Sequence, residues 1–204
     1  MAIQPYNHSP IVVVGPVAQD ALTQGEYEAF KAALPSWRDR LIAMVLRNTG
    51  LRINELLAME IRHCNLAGPD FFFHTRRSKK RGPAEWDPVF LNPGLGVQLR
   101  DYIKGNGFLP GDRLFGNRPN ERDSRKITAR GLRFIFDKTG HAALGRPIKP
   151  RDFRTLFVQT MVDGGVPLAM ASKMVGHEDV RTTQVHYYKL SADRRRVIGE
   201  GIPV

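Results

Sequence analysis

One stretch of this sequence departs from the pattern of all the rest, and it constrains the fold most. From residue 70 the chain runs through Phe71, Phe72 and Phe73 into a basic cluster (Arg76, Arg77, Lys79, Lys80, Arg81), then Gly82-Pro83, then Glu85 to Leu91. Two short runs separated by a Gly-Pro turn read as a β-hairpin, and so charged a turn stays in water. On both sides of it the signals are helical. Thr23 with Glu26 has capping-box spacing, and Ser36 with Asp39 starts a second helix with Leu41, Ile42, Val45 and Leu46 at core-facing spacing. Gly50 breaks that helix, and a short amphipathic one follows from Ile53 to Met59. Asn92-Pro93 caps and opens a helix through Ile103, and a polar, Arg-rich loop covers roughly 110–127. Thr128 opens the next helix, with Leu132, Ile135 and Phe136 on one face and Gly140 past its end.

The last third predicts three more helices: about Arg151 to Asp163, stopped by Gly164-Gly165; from Pro167 to Gly176; and about Val180 to Lys189. The fold class expected is mainly α with a small antiparallel β-sheet, an α+β domain. Residues 1–20, with Pro5, Pro10 and Pro16 around the apolar run Ile11–Val14, read as an extended lead-in. Residues 191–204 read as a basic tail carrying Arg194, Arg195 and Arg196.

Charge narrows the function. Among 204 residues, 31 Lys and Arg face 20 Asp and Glu, a formal net charge of +11. A domain this basic attracts a polyanion, most commonly nucleic acid. The one cysteine, Cys64, excludes an internal disulfide and suggests a reducing compartment. No apolar run approaches the length of a membrane span, and the start lacks a signal-peptide pattern, so no membrane partner is expected. The chain reads as soluble and intracellular.

Several chemistries lack their parts. The six histidines show no His-Glu-x-x-His spacing, and a single cysteine makes no zinc cluster. There is no Gly-x-Ser-x-Gly elbow and no phosphate loop ending in Lys-Ser or Lys-Thr. Asp112, Asp123 and Asp137 are scattered carboxylates, read as solvated surface rather than magnesium ligands. No metal and no cofactor is expected.

Four segments remain. They are Thr49-Gly50-Leu51-Arg52-Ile53-Asn54-Glu55-Leu56, the basic hairpin turn, Arg151-Asp152-Phe153-Arg154, and Val175-Gly176-His177-Glu178-Asp179 followed by Thr182-Thr183-Gln184-Val185-His186-Tyr187-Tyr188. In this order and spacing the chain resembles the catalytic domain of the tyrosine recombinase, or phage integrase, family. The resemblance covers about residues 21–190, which are expected to form one catalytic domain, with the tail a possible subunit-docking segment.

The resemblance implies site residues. Arg52 and Arg154 match the two catalytic arginines, and planar guanidinium forks suit the charge that builds on a phosphodiester under attack. Glu55 matches a supporting acid that orients Arg52. A hairpin lysine, Lys79 or else Lys80, matches the group that protonates the leaving 5′ oxygen. Arg76, Arg77 and Arg81 beside it are expected to bind DNA. His177 matches a histidine that hydrogen-bonds the phosphate or moves a proton, with Val175 in place of the usual leucine. Arg151 stands where the family usually has histidine, and an arginine cannot accept the nucleophile's proton. His177 or His186 is left for that task.

Tyr187 is the expected nucleophile, since Thr-Thr-x-x-His-Tyr fits a family variant without a gap, and Tyr188 is the alternative. The implied activity is site-specific recombination or integration through a 3′-phosphotyrosine link, without metal or ATP. The implied partners are double-stranded DNA and further copies of the chain, as a tetramer in the synapse. The implied setting is a prokaryotic cytoplasm or nucleoid. Two rivals are a type IB topoisomerase-like nicking and religation activity, and a non-catalytic helix-turn-helix DNA-binding protein formed by the helices around Gly176.

Overall fold

The structure, a computed structural model, describes residues 21–76, 86–116 and 127–176. Helices and the segments between them share the core, with the helix Trp37–Thr49 supplying Leu41, Ile42, Ala43, Val45 and Leu46. Helix α1 (Gln24–Ala33) begins as expected: Thr23 Oγ1 accepts the Glu26 amide at 3.2 Å while Glu26 Oε2 accepts the Thr23 amide at 2.9 Å. Helix α2 (Trp37–Thr49) is capped by Ser36 and ends at Gly50, whose φ of 62° is the left-handed conformation that favours glycine. It leads at once into α3 (Ile53–Leu57).

The hairpin follows. Strands β2 (Phe72–Arg76) and β3 (Trp86–Phe90) pair antiparallel, with Phe72 opposite Phe90 and Arg76 opposite Trp86. Pro88 lacks an N–H and sits in β3, at the sheet's edge, where no partner needs one. A third strand, β1 (Cys64–Asn65), pairs antiparallel with β2. Two residues carry no detectable alternation, so the sequence reading did not include it.

Helix α4 (Pro93–Asn106) is capped by Asn92 and runs a turn beyond the expected Ile103, to the left-handed Gly107. Helices α5 (Ala129–Leu144), α6 (Pro150–Asp163) and α7 (Leu168–Met174) complete the described order. Phe30 of α1, Phe136 of α5 and Phe153 of α6 are fully buried and mutually packed, with ring centroids 5.3–5.7 Å apart. Such aromatic pairs add to area burial, and this cluster fixes the rotation of α6 about its axis. Arg146 holds Glu26 with two hydrogen bonds of 2.9 and 3.0 Å, tying the start of α1 to the chain entering α6.

Two expectations are corrected. Residues 110–116 are not simply a polar loop, because Leu114 and Phe115 are buried. Backbone bonds from Ile61 to Asp112, Arg62 to Pro110 and Leu114 to Met59, all 2.8–2.9 Å, lay this segment along residues 59–62, just ahead of β1. Gly140 does not follow the end of α5 but lies inside it, and the helix ends at the left-handed Gly145. Gly140 is there for closeness: a Cβ would sit 2.7 Å from the Arg146 carbonyl and 2.8 Å from Ile148.

Overpacking costs about 1–3 kcal/mol, and a wall of backbone yields little. That exceeds the roughly 1 kcal/mol alanine gains over glycine within a helix. Gly140→Ala is therefore expected to lower the urea midpoint at unchanged slope; an equal or higher midpoint would show that the wall yields.

The lead-in 1–20, the expected helix 180–189 and the tail 191–204 lie outside the described residues.

Candidate active site

Arg52 sits at the N-cap of α3, where the chain leaves the left-handed turn at Gly50. Glu55 grips it twice: Oε2 accepts the Arg52 backbone N–H at 2.9 Å and Oε1 accepts Nη1 at 2.8 Å. The Glu55 side chain is only 6% exposed and that of Arg52 is 29% exposed, so this is no loose surface pair. A carboxylate this buried holds one geometry, and the fork it holds is turned toward a fixed place. The remaining arm of Arg52, Nη2, leans on the Gly176 carbonyl at 3.5 Å.

Arg154 arrives from α6, one residue past the buried Phe153. Its Nη1 donates to the Gly50 carbonyl at 2.7 Å, and its Nη2 donates to the Val175 carbonyl. The two arginines are thus brought together by two turns. One follows α2, the other ends α7, and His177 comes next in the chain after the second.

Arg52 and Arg154 line a common cleft of about 900 Å³ with Arg151, Asn54, Arg133, Phe134, Asp137 and Lys149. Arg151 has a side chain 77% exposed and forms a 3.8 Å ion pair with Asp152. It shares a helix face with Arg154, as expected for positions three apart. Burial pushes the Asp152 carboxyl above the usual carboxylate range, against the Lys149 amide it accepts at 2.7 Å and the nearby Arg151 charge.

Sequence reasoning missed Arg133, Phe134 and Lys149 as part of the site; Asp137, read as surface, is indeed 55% exposed and also lines the cleft. All but Lys149 stand on the solvent side of α5, opposite Leu132 and Phe136, at spacings that share a helix face. That stripe of mixed chemistry was the available signal. Asp112, in contrast, accepts the Leu109 amide at 2.7 Å as a turn cap. Among the described residues no group of three His, Cys, Asp or Glu side chains could hold a metal ion.

Arg76 lies at the end of β2, with its side chain outside the described part of the molecule. Arg77, Lys79, Lys80, Arg81, His177, His186, Tyr187 and Tyr188 all lie outside the described residues.

Comparison with known proteins gives the family and the fold. Residues 20–194 match the phage integrase family. The tyrosine recombinase XerC of Pelobacter propionicus is 32% identical over 160 residues, 77% of this chain and 49% of that protein. The chain spans about half the length of that curated relative.

Among solved structures, a XerA recombinase superposes with a TM-score of 0.73 at 20% identity, over 93% of this chain and 68% of the other. A XerH site-specific recombinase bound to its palindromic difH substrate, in a post-cleavage complex, gives 0.69 at 18% identity, over 88% and 52%. At those identities the superpositions speak for the fold: helices around a small three-stranded antiparallel sheet, as in tyrosine recombinase catalytic domains. With the match covering most of its length, the chain belongs to the phage integrase family.

Proposed function

We propose that residues 21–190 are the catalytic domain of a site-specific DNA recombinase or integrase that breaks and rejoins strands through a tyrosine. The observation that carries this is the pairing of Arg52 and Arg154. They come from remote segments, are oriented by fixed acceptors and open on one strongly basic cleft.

In the reaction, the Tyr187 oxygen attacks phosphorus and the bond from phosphorus to the 5′ oxygen breaks. Arg52 and Arg154 hold the non-bridging oxygens as their charge grows. The lysine of the hairpin, Lys79 or else Lys80, gives its proton to the leaving 5′ oxygen. His177 or His186 takes the proton of the phenol, since Arg151 cannot and instead adds positive charge at the mouth of the cleft. The 3′-phosphotyrosine product keeps the energy of the broken bond, so a 5′ hydroxyl from a second duplex can reverse the step without ATP or a metal. Exchange between duplexes requires several copies on DNA, a tetramer in the synapse, with residues 191–204 as the docking segment. Arg76, Arg77 and Arg81 bind backbone phosphates near the hairpin. Among the described residues no helix is long and apolar enough to cross a membrane, and the setting proposed is the cytoplasm or nucleoid of a prokaryotic cell.

The test is incubation with nicked suicide DNA carrying candidate sites, in excess EDTA, followed by a denaturing gel. A covalent protein–DNA adduct is expected. Cleavage that vanishes in chelator and returns with magnesium, with no adduct, would replace the tyrosine reading with a carboxylate–metal one.

A further inference from the structure

We propose that Gly50 is a positioning residue, which joins Arg52 and Arg154 into one unit through the backbone carbonyls of the two turns beside it. The proposal rests on the reading of those arginines as the phosphate clamp.

Three carbonyls do the holding. Gly50 and Val175 each accept one nitrogen of the Arg154 fork, and Gly176 accepts Arg52 Nη2 at 3.5 Å. Two acceptors on different segments fix both the position and the plane of a guanidinium. A guanidinium carries five N–H groups, and the bonds to the two carbonyls use one on each terminal nitrogen of Arg154. Adjacent carbonyls of one turn therefore address both arginines, and displacement of that turn moves both.

Gly50 is what lets the turns meet. A Cβ at this position would lie 2.6 Å from Phe157 Cδ1 and 2.9 Å from Val175 Cγ1, and its φ of +62° strains any side chain. Phe157 stands three residues after Arg154 on α6, on the same helix face. A side chain at position 50 thus pushes apart the two elements whose contact brings the Gly50 and Val175 carbonyls to Arg154. From the other side, Thr49 steadies the turn: its hydroxyl donates to Val45 at 2.7 Å and accepts the Leu51 amide at 3.3 Å. The glycine does more than end a helix. Many residues can follow a helix, but only one without a Cβ brings its carbonyl this near Phe157 and Val175.

The test combines single-turnover cleavage of suicide DNA with side-chain NMR. Gly50→Ala is expected to slow cleavage on the order of 10²-fold, the usual effect of a misplacement near 1 Å, with DNA affinity unchanged. In an Arg154→Ala background the same change is expected to slow cleavage much less than it does in the parent chain, the remainder coming through Arg52. The double variant Gly50→Ala/Phe157→Ala, in which the methyl has room, is expected to regain part of the rate.

Independent losses from Gly50→Ala and Arg154→Ala would overturn the proposal, because a general structural defect adds to the loss of the arginine. Where Gly50→Ala does not fold, Gly50→Ala/Phe157→Ala measured against Phe157→Ala carries the same cycle. The ¹⁵N guanidinium signals of Arg154, assigned by their absence in Arg154→Lys, provide the second readout. Slow proton exchange is expected in the parent chain and faster exchange with alanine at position 50; equal exchange in both overturns the proposal. A parent chain that forms no adduct would refute the recombinase reading, and the exchange rates would still decide the role of Gly50.

Discussion

Tyr187→Phe is expected to abolish the covalent protein–DNA adduct entirely, while Tyr188→Phe retains it. A phenol has a reference pKa of about 10, so at neutral pH the attacking oxygen must lose its proton as the bond to phosphorus forms. Phenylalanine has no oxygen to form that bond. Only one of two adjacent tyrosines can serve. In the helix that the sequence predicts over 180–189, successive side chains diverge by about 100°, so both rings cannot face one phosphate. The measurement is trapping on suicide DNA followed by mapping of the DNA-linked peptide. An adduct that survives Tyr187→Phe and is lost in Tyr188→Phe would assign the nucleophile to Tyr188.

Arg154→Ala and Arg52→Ala are each expected to slow cleavage on the order of 10²–10³-fold, the usual effect of removing one preorganised oxyanion donor, with much smaller changes in DNA affinity. The split follows from geometry. On the recombinase reading, ground-state phosphates meet many cations of the basic surface, whereas charge develops on one phosphate only during attack. Lysine is a poor substitute at position 154. Its ammonium is a point charge without a planar fork, and the site asks for one nitrogen on the Gly50 carbonyl and another on that of Val175. Arg154→Lys is therefore expected to recover little of the lost rate despite keeping the charge. For Arg52, the buried Glu55 carboxylate adds a second loss, because Arg52→Ala strips it of its 2.8 Å partner. If either alanine variant cleaves at the parent rate while binding normally, that arginine has no part in the chemistry.

Among the described residues, the sequence by itself determined where the helices begin, several of their caps and the two long strands of the hairpin. The Thr23–Glu26 box, the Ser36 and Asn92 caps and the stop at Gly50 appear where the spacing put them. These are interactions between residues at most four apart, so their signal lies in neighbouring letters. It also determined that Arg52 and Glu55 pair, since they stand three positions apart.

Tertiary structure decided the rest. Gly140 looked like a helix end because glycine commonly stands there, yet it marks the place where residues 146–148 press against α5. Strand β1 exists because β2 offers it a partner, and Leu114 and Phe115 are buried because backbone bonds draw their segment inward. Arg133, Phe134, Asp137 and Lys149 belong to the cleft only because α5 and the start of α6 pack beside Arg52. The contact of Arg154 with Gly50 spans 104 residues, and that of Arg52 with Gly176 spans 124. Every residue carries the same carbonyl oxygen, so no letter of the sequence marks which one an arginine will meet; packing of α2, α6 and α7 makes that choice.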